Sequence, residues 1–496
     1  MKHFLCLLSA FLLLPFAGGN VCAQRAGKYE VRAAWVATAY GLDWPRTKAV
    51  SPSSVHRQQE ELAGLLDGLR DAGINTVLFQ VRARGEVFYR SEVEAFSSVL
   101  TGRVGQDPGY DPLAFVIEQC HRRGMECHAW LVTIPLGHAA HVRRQGRFSP
   151  VHRRPKLCVA FRREYFLDPS QPGTADYLAR LVREVVERYD VDGIHLDYLR
   201  YPEKADRFPD GKRYRQSGRG MALDEWRRDN ITGIVRRLYW EVKALKPWVK
   251  VSSSPIGKLC DTARYPSLGW NAYEAVYQDV ERWLREGLQD QIYPMAYFRG
   301  DAFYPFVLDW SERANGRQVV PGLGVYFLGG DRGREWQLDD VARQVRFVRR
   351  NGLSGQAYYR AQFLGEDVKG VARWLRSACY PAPALVPRMA WQDSIAPAPA
   401  SGLRVSRPRE GYYRLEWQAS VGAETELGGV SYVVYASDTL PVDTAEPANI
   451  VAQGVRDTTL LYAPLLPWQP RRHFAVVAQD RCGNESLPCV ASVRGL

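Results

Sequence analysis

Short apolar runs alternate with amphipathic stretches along most of the chain. Runs rich in branched aliphatic and aromatic residues predict eight buried strands, at 31–37, 76–81, 126–131, 193–196, 250–253, 291–295, 319–324 and 355–358. Apolar residues at helical spacing predict helices between them, at 54–72, 111–123, 175–189, 224–245, 272–286, 338–350 and 366–377, with a weakly marked helix at 306–313. This alternation is typical of an α/β fold with a parallel sheet.

Eight strand–helix repeats between residues 29 and 383 predict a (β/α)8 TIM-like barrel with enlarged loops. A doubly wound open sheet is the alternative, but no G-x-G-x-x-G sequence follows an early strand, which weakens it. Two long segments, 137–156 and 203–220, follow the third and fourth strands and would overhang the same rim of the barrel. They are either substrate-facing walls or surface insertions.

The pattern changes after residue 383. Residues 384–401 are rich in proline and alanine and predict a stiff linker. Trp417 and Tyr432 are the expected core residues of the region that follows, and Cys482 and Cys489 could bridge a terminal loop. Short alternating strands predict a small all-β immunoglobulin-like sandwich over 402–496, with strands at 403–405, 412–417, 432–437 and 474–479.

The first residues have the composition of an export signal. A basic start precedes an apolar run at 4–16, which is too short for a permanent membrane span, and small residues follow at 21–23. We predict a signal peptide over 1–23, cleaved before Gln24, and a location in the periplasm or cell envelope. A lipid anchor on Cys22 is the alternative. No later apolar run reaches the length of a membrane span.

Charge and cysteine content narrow the class of function. The formal net charge of +12 at pH 7 suits an anionic polymer or surface as partner. Nucleic acid is not expected, because no basic run interleaved with aromatics and no nucleic-acid motif appears, and because we expect export. The cysteines beyond the signal peptide are scattered without a C-x-x-C pair, so we expect neither a disulfide framework nor a zinc site. We also predict no cofactor.

Asp197 stands where the fourth predicted strand ends, in the sequence V-D-G-I-H-L-D-Y-L-R-Y-P (191–202). Tyr198, Arg200 and Tyr201 follow it closely. A carboxylate at the carboxyl end of a buried strand is costly for stability alone, and in a barrel this rim carries the chemistry. Asp197 is therefore the leading catalytic candidate. Alternatively, it caps the next helix or pairs with Arg200.

Other strand ends supply aromatic and polar side chains that suit a sugar polymer. Amphipathic rings pack on the C–H faces of sugars and bond to their polar edges. Each aromatic residue alone could belong to the core, but their coincidence at strand ends favours a glycan groove. The predicted substrate-binding residues are Trp35, Trp44, Gln80, Arg82, Arg84, Trp130, Asp192, Tyr198, Arg200, Tyr201, Tyr293, Tyr297 and Tyr358.

Hydrolysis of a glycosidic bond normally needs two carboxyl groups. Glu86, after the second strand, and Asp43, after the first, are the candidate partners of Asp197. Asp192 and His195 lie earlier on the fourth strand and would orient Asp197 or pack beneath it. The acid, base and nucleophile roles stay open, because the separation of the carboxyl groups cannot be read from a sequence.

Several long blocks, in one order across about 29–380, resemble the glycosyl-hydrolase-like 10 family. They are E-V-R-A-A-W-V-A-T-A-Y-G-L-D-W-P (30–45), F-Q-V-R-A-R-G-E-V-F-Y (79–89), P-G-Y-D-P-L-A-F (108–115), V-D-G-I-H-L-D-Y-L-R-Y-P (191–202), D-E-W-R-R-D-N-I (224–231) and K-P-W-V-K-V-S-S-S-P-I-G (246–257). The resemblance implies a TIM-like barrel and hydrolysis of peptidoglycan glycan in the cell envelope, notably of strands stripped of their stem peptides. The family commonly carries Asp at the position of Glu86, and often a second Asp at that of Tyr198.

The C-terminal part resembles a fibronectin type III domain, whose closing turn is similar to D-R-C-G-N-E-S (480–486). Such a domain would act as a spacer or bind glycan. Together the two parts predict an exported glycoside hydrolase of peptidoglycan strands that lack stem peptides, with Asp197, Glu86 and Asp43 as catalytic candidates. A non-catalytic glycan-binding scaffold and a hydrolase of another exogenous polysaccharide are the alternatives.

Overall fold

The computed structural model describes residues 27–330, 335–409, 411–422, 428–464 and 471–493. The predicted signal peptide and the alternative lipid anchor at Cys22 lie outside the described residues. Within the described ranges, no helix combines the length and the apolar character needed to cross a membrane.

Strands and helices alternate through the first part of the chain, as the hydrophobic pattern predicts. The strands are β1 (Val31–Val36), β2 (Thr76–Ala83), β3 (Glu86–Val87), β4 (Ala95–Phe96), β5 (Glu126–Val132), β6 (Pro135–His138), β7 (Cys158–Phe161), β8 (Glu164–Leu167), β9 (Gly193–Asp197), β10 (Lys250–Ser254), β11 (Gln291–Ile292), β12 (Gln318–Val319), β13 (Gly322–Leu323) and β14 (Gly355–Tyr358). The helices are α1 (Pro52–Asp71), α2 (Ser98–Thr101), α3 (Pro112–His121), α4 (Ala139–Gln145), α5 (Pro150–Arg153), α6 (Pro172–Arg188), α7 (Gly211–Ser217), α8 (Leu223–Leu245), α9 (Ala272–Ala275), α10 (Val280–Arg285), α11 (Tyr304–Glu312), α12 (Leu338–Arg350), α13 (Ala361–Gly365) and α14 (Val371–Trp374).

The parallel strands form a closed ring. Their order is β12-β11-β10-β9-β5-β2-β1-β14-β13, with every neighbouring pair parallel. β12 and β13 are two halves of the seventh barrel strand, one bonded to the sixth strand and the other to the eighth. Between the halves, the N–H of Val320 donates to the carbonyl of Ile292 (2.8 Å), and the N–H of Ala357 donates to that of Pro321 (3.0 Å). This closed sheet with its helices fits the predicted (β/α)8 TIM-like fold.

Local signals fix the ends of several elements around the ring. Pro52 opens α1, and the hydroxyl of Ser51 before it accepts a hydrogen bond from a first-turn N–H. Asp111 caps α3 by accepting from two backbone N–H groups of its first turn, at 3.1 Å each. Gly355 begins β14 with a φ of 144°, at a place where a side chain would collide with the backbone of Val31.

Some elements differ from the prediction. The sixth barrel strand ends at Ile292 instead of residue 295, because Pro294 has no N–H to donate to the ladder. The helix predicted at 272–286 is divided into α9 and α10, and between them Tyr277 has a left-handed φ of 63°. The long segments at 137–156 and 203–220 contain the short helices α4, α5 and α7.

Two apolar clusters cover the inner and outer faces of the barrel sheet. The inner cluster contains the large rings of Trp35, Trp130 and Tyr293 together with small residues such as Ala33 and Ala357. The larger cluster lies between the outer faces of the strands and the surrounding helices. Large rings inside the barrel leave a floor of aromatic side chains beneath the carboxyl ends of the strands.

A three-stranded antiparallel sheet, in the order β6-β8-β7, follows β5. β7 and β8 form a tight hairpin around Arg162 and Arg163, whose φ angles of 50° and 67° are both left-handed. Two consecutive residues with left-handed φ angles form the two-residue turn whose twist matches that of the flanking strands. Asn and Gly usually occupy the two turn positions. Two arginines are not a typical turn sequence, so the sequence does not predict this sheet.

Two antiparallel sheets form the C-terminal part, which is all-β as predicted. Their strands are β15 (Ser401–Arg409), β16 (Tyr412–Gln418), β17 (Ser431–Ser437), β18 (Ile450–Val455), β19 (Thr459–Tyr462), β20 (His473–Gln479) and β21 (Cys489–Ser492). The sheets have the orders β15-β16-β19 and β18-β17-β20-β21. Trp417 of one sheet and Tyr432 of the other belong to one buried cluster, with ring centroids 5.4 Å apart. Cys482 and Cys489 are free thiols, so the bridge considered from the sequence is not formed.

The C-terminal part contacts the barrel at the amino ends of its strands. Arg481 donates to Asp190 (2.8 Å) and to Asp192 (3.1 Å), which directly precede β9. The amide of Gln453 donates to the carbonyl of Gly124, ahead of β5 (2.8 Å). These contacts leave the carboxyl ends of the barrel strands uncovered by the C-terminal sheets.

The predicted linker at 384–401 lies against both parts. The carbonyl of Leu385 accepts from the N–H of Glu30 beside β1 (2.9 Å). Farther along, the N–H of Met389 donates to the carbonyl of Cys482 in the C-terminal part (2.8 Å). Hydrogen bonds on both sides fix the direction in which the C-terminal sheets leave the barrel.

Candidate active site

A cavity of about 1210 Å³ opens at the carboxyl ends of the barrel strands. Its wall contains aromatic rings, arginines and carboxylates. The predicted site residues that line it are Trp35, Gln80, Arg84, Trp130, Asp197, Tyr198, Arg200, Tyr201 and Tyr297. Its position and its size are those of a substrate site in a barrel enzyme.

Asp197 is the last residue of β9 and lies at the bottom of this cavity, 5% exposed. Its Oδ1 accepts from the N–H of Tyr198 (2.7 Å) and from the hydroxyl of Ser254 (2.9 Å). Its Oδ2 accepts from the indole N–H of Trp130 (3.0 Å). β5 and β10 flank β9 and carry Trp130 and Ser254, so the barrel itself orients the carboxyl group.

Burial raises the pKa of Asp197 above its usual value. The hydrogen bond from Ser254, the charge of Arg200 and the N–H of Tyr198 act in the opposite direction without cancelling the effect of burial. A carboxyl group in this state holds its proton at a higher pH than a free aspartate does. It can therefore give a proton to a leaving group as a general acid.

Tyr198, directly after Asp197, has a left-handed φ of 51°. This conformation is unfavourable for a bulky residue and tends to occur at functional sites. Here it turns the chain sharply at the end of β9, with the N–H on Asp197 and the ring, 42% exposed, in the cavity. The guanidinium of Arg200 lies over that ring at 4.6 Å.

Trp35 forms the floor of the cavity and is held by a neutral histidine. Its indole N–H donates to Nε2 of His195 (3.1 Å), whose Nδ1 lies 2.9 Å from the hydroxyl of Ser252. Burial, followed by the charge of His128, brings the pKa of His195 well below its usual value, so the ring is uncharged. Because Nε2 accepts, the proton is on Nδ1 and is donated to Ser252.

A cluster of tyrosines forms one side of the cavity above Trp35. Tyr297 and Tyr359 are stacked with centroids 5.4 Å apart, and Trp35 meets both rings edge-on. Tyr326 packs perpendicular to the stacked pair, at 5.9 Å and 5.7 Å. Such a surface, apolar on its faces and polar at its hydroxyls, suits a sugar ring.

Glu86, the first predicted partner of Asp197, lies outside the cavity wall and is buried. Its Oε2 accepts from the hydroxyl of Ser97 (2.8 Å) and the N–H of Ser98 (3.0 Å), and its Oε1 from the amide of Gln145 (3.2 Å). These donors tie Glu86 to the connections after β4 and β6. Its geometry is that of a structural carboxylate, and its predicted catalytic role is not supported by its position.

Asp43, the second predicted partner, also lies outside the wall. It accepts from the N–H groups of Ala37 (2.7 Å) and Gln362 (3.0 Å) and forms an ion pair with Arg360 (2.5 Å). Burial raises the pKa of Asp43, against the opposing charge of Arg360. The contacts fasten the connection after β1 to the one after β14, which is a structural task.

Five predicted substrate-binding residues lie away from the cavity wall. Their partners are Gln58 for Trp44 (2.8 Å), Glu94 for Arg82 (2.6 Å), His121 for Asp192 (2.8 Å), Gln291 for Tyr293 (2.9 Å) and Tyr380 for Tyr358 (2.6 Å). Four of them are buried and Asp192 is partly buried, and their polar atoms are engaged by other parts of the protein. Position at a strand end therefore does not decide whether a side chain faces the cavity or the surrounding shell.

The sequence of the chain matches the profile of glycosyl hydrolase-like 10 over residues 30–333. The chain belongs to the glycosyl hydrolase-like 10 family. It is 32% identical over 401 residues to glycosyl hydrolase YngK of Bacillus subtilis, and the alignment covers 77% of this chain and 78% of that protein. It is 33% identical over 345 residues to glycosyl hydrolase DigH of Escherichia coli, and the alignment covers 64% of this chain and 78% of that protein.

A solved structure supports the fold. The glycoside hydrolase domain of PgaB (BpsB) from Bordetella bronchiseptica superposes with a TM-score of 0.50 at 15% sequence identity. The match covers 71% of this chain and 99% of that one. At this identity the likeness shows a shared fold.

Several wall residues of this glycosyl hydrolase-like 10 barrel were absent from the predicted site. They are Ser254, Tyr326, Phe327, Tyr359, Arg360, Phe363, Phe161, Arg162, Glu164, Phe166 and Glu203. Ser254 and Tyr359 end or directly follow barrel strands, so the strand-end rule could have found them. The residues from 161 to 166 come from the unpredicted β7–β8 hairpin. In the part of the chain that the structure describes, no group of three or more His, Cys, Asp or Glu side chains could hold a metal ion.

Proposed function

We propose that this protein is an exported glycosidase that cleaves the glycan strands of peptidoglycan, with strands lacking stem peptides as substrate and Asp197 as general acid. One observation carries the proposal. Asp197 is a buried carboxyl group of raised pKa, oriented by Trp130 and Ser254 at the base of an aromatic cavity. That arrangement suits proton transfer to a glycosidic oxygen.

The reaction follows from that placement. Protonated Asp197 gives its proton to the oxygen of the leaving sugar as the bond from that oxygen to the anomeric carbon breaks. Positive charge then develops on the remaining ring and is quenched by water or by a second carboxylate. The tyrosine wall and Trp35 would hold the ring in place and exclude bulk water.

The second carboxyl group is proposed to come from the cavity wall, in place of Glu86 and Asp43. Glu164 and Glu203 both line the cavity. Glu164 is engaged by His138 at 3.2 Å, whereas Glu203 is exposed on the connection that follows Asp197. Glu203 is therefore the better candidate for activating water or acting as nucleophile.

The substrate part of the proposal rests on three supports. Family membership supports a glycan, since the named relatives are glycosyl hydrolases. The net charge of +12 and the arginines on the cavity wall favour an acidic polymer. The predicted signal peptide would bring the protein to the envelope, where peptidoglycan lies.

We further propose that the C-terminal part is a fibronectin type III-like sandwich that acts as a spacer. A three-stranded and a four-stranded antiparallel sheet share one apolar cluster, as in immunoglobulin-like folds. Its contacts with the amino ends of the barrel strands, through Arg481 and Gln453, keep it away from the cavity. A spacer role agrees with this position better than substrate binding does.

Digestion of purified peptidoglycan, intact and amidase-stripped, tests the function. Mass spectrometry of soluble products from wild type and Asp197→Asn is the readout, with Asp206→Asn as matched control because that aspartate is 68% exposed on the same connection. We expect wild type to release products from stripped strands and Asp197→Asn to lose activity by about a hundredfold or more. The control should keep the activity of wild type. Activity of Asp197→Asn equal to wild type would reject Asp197 as the acid.

A glycan-binding scaffold is the second candidate, and one observation favours it. Among the described residues, Asp197 is the one buried carboxyl group on the cavity wall, since Glu164 and Glu203 are more exposed. A scaffold would be retained on insoluble glycan without releasing products. Retention together with an absence of products from every peptidoglycan preparation would favour this alternative.

A further inference from the structure

Arg200 is a buried cation of the cavity wall that forms no ion pair with any described carboxylate, although its charge acts on Asp197. Its side chain lines the cavity and the residue is 8% exposed. Its Nη1 is buried and makes no hydrogen bond with any residue that the structure describes. Two other buried arginines differ from it, because Arg82 is bonded to Glu94 (2.6 and 2.8 Å) and Arg227 to Asp210 (2.8 and 2.9 Å).

An unused donor on a buried guanidinium is unfavourable. Removing a charged N–H from water without giving it an acceptor costs free energy, and folded proteins rarely keep such a group unless something else completes it. The ring of Tyr198, at 4.6 Å, supports one face of the guanidinium, and the side chain of Tyr198 is also hydrogen-bonded to Arg200, but not through Nη1. Because Arg200 lines the cavity, its Nη1 is available to an acceptor on a molecule that binds there.

The surroundings favour a carboxylate over a phosphate. The planar guanidinium is suited to the two oxygens of a carboxylate and also to those of a phosphate. However, Glu164 and Glu203 share the same cavity, and they would repel a group of higher negative charge more strongly. A single negative charge is thus the better match.

The position of Arg200 places that anion close to the reacting bond. Arg200 follows Asp197 by three residues, and its charge acts on the carboxyl group of Asp197. The backbone between them is fixed, since the N–H of Arg200 donates to the carbonyl of Tyr198 (2.9 Å). An anionic group held by Arg200 therefore belongs to the sugar at, or next to, the bond that Asp197 would cleave.

We propose that Arg200 binds a free carboxylate on this sugar and makes the enzyme distinguish the acid from its amide. The inference rests on the proposed function and adds the residue that determines specificity. Two kinds of sugar offer the required group: one with an ether-linked lactyl carboxylate, as in stripped peptidoglycan, and a uronic acid. An amide at the same place, as in a strand that keeps its peptides, has no charge for Arg200.

The test compares each polymer with its neutral derivative. Amidase-stripped peptidoglycan and hyaluronan, which contains a uronic acid, are each used as the free acid and after carbodiimide coupling to methylamine. For wild type we expect kcat/KM on stripped peptidoglycan to be about 10- to 100-fold higher for the acid than for the amide, as for loss of one charge-assisted hydrogen bond. If only hyaluronan gives an acid-to-amide ratio of this size, the carboxylate that Arg200 binds is that of a uronic acid.

Variants assign the ratio to Arg200. In Arg200→Gln the acid-to-amide ratio should fall to about one, because any change that the lost charge causes at Asp197 affects both substrates alike. Arg200→Lys should give an intermediate ratio, because lysine keeps the charge but loses the planar fork. Arg162→Gln is the matched control, since Arg162 lines the same cavity with a side chain 51% exposed. It should keep the wild-type ratio. Melting temperatures establish that each variant is folded.

Two results would overturn the inference. One is an unchanged acid-to-amide ratio in folded Arg200→Gln. The other is an equal loss on both substrates with a displaced pH–rate profile, which would mean that Arg200 acts through Asp197. If wild type cleaves nothing, the proposed hydrolase function fails, but calorimetric affinities for the acid and the amide of the same oligosaccharides still test Arg200. Equal affinities for the two forms would then reject it.

Discussion

The indole N–H of Trp130 donates a hydrogen bond of 3.0 Å to Oδ2 of Asp197. Trp130 lies on β5 and Asp197 on the adjacent β9, so two neighbouring barrel strands carry the donor and the acceptor. A donor of this kind stabilises the ionised carboxylate and counteracts burial, which raises the pKa of Asp197. The pair therefore sets the pH at which Asp197 loses its proton.

Trp130→Phe should move the pH dependence of the reaction. Phenylalanine keeps much of the ring but has no N–H, so the pKa of Asp197 should rise further. As a general acid Asp197 must be protonated, and the basic limb of the kcat/KM profile should therefore move to higher pH, with a loss of about 3- to 30-fold at the optimum. Trp240→Phe, at a site 59% exposed, is the control. A basic limb that moves to lower pH would contradict this role of Trp130.

The stability of Asp197→Asn relative to wild type should rise with pH. The raised pKa means that the folded protein binds this proton more tightly than the unfolded chain does. Wild type therefore loses stability as pH rises from the ordinary pKa of aspartate through the raised value, and the variant does not. The asparagine amide cannot accept all three hydrogen bonds that reach Asp197, and this cost is the same at every pH. We expect the difference in stability, variant minus wild type, to be about 1 kcal/mol more favourable at pH 8 than at pH 4. Thermal unfolding at both values measures it, and a difference more favourable at pH 4 would show the sign to be wrong.

The barrel could be predicted because its signals are local. Each strand is a short apolar run, and the residue that ends it, such as Asp197, follows from the period of the pattern. The direction of a side chain beyond a strand end depends on distant partners. Arg82 is turned from the cavity by Glu94, and Glu86 is held by Ser97. No periodicity in the sequence links these pairs, so the predicted site contains residues that the structure places elsewhere.

Glu86→Gln should affect stability more than catalysis. The carboxylate of Glu86 accepts from Ser97, Ser98 and Gln145, and a side-chain amide cannot accept from all of them. We expect a loss of about 1–3 kcal/mol in the free energy of unfolding, measured by urea titration. Per folded molecule, kcat/KM should remain within about threefold of wild type. A hundredfold loss of kcat/KM without a change in stability would instead mean that Glu86 is a catalytic residue.

Arg481→Gln should weaken the contact between the barrel and the C-terminal sheets. Arg481 is bonded to Asp190 (2.8 Å) and to Asp192 (3.1 Å), and its side chain is mostly buried. Burial alone would raise the pKa of Asp192, but the hydrogen bond and charge of His121 and the charge of Arg481 bring it well below the usual value. The variant leaves two carboxylates side by side without the guanidinium. We expect a loss of about 2–4 kcal/mol at pH 7.

The pH dependence of that loss follows from the same pKa. A carboxylate whose pKa is lowered by folding contributes stability above its ordinary pKa, and the contribution is lost as pH falls through the folded value. The difference between wild type and Arg481→Gln should therefore be full at pH 7 and shrink below about pH 4. Calorimetry at several pH values measures it, with Arg404→Gln, an exposed arginine of β15, as control. A difference that stays constant down to pH 3 would mean that Arg481 stabilises the contact by packing, not by its charge.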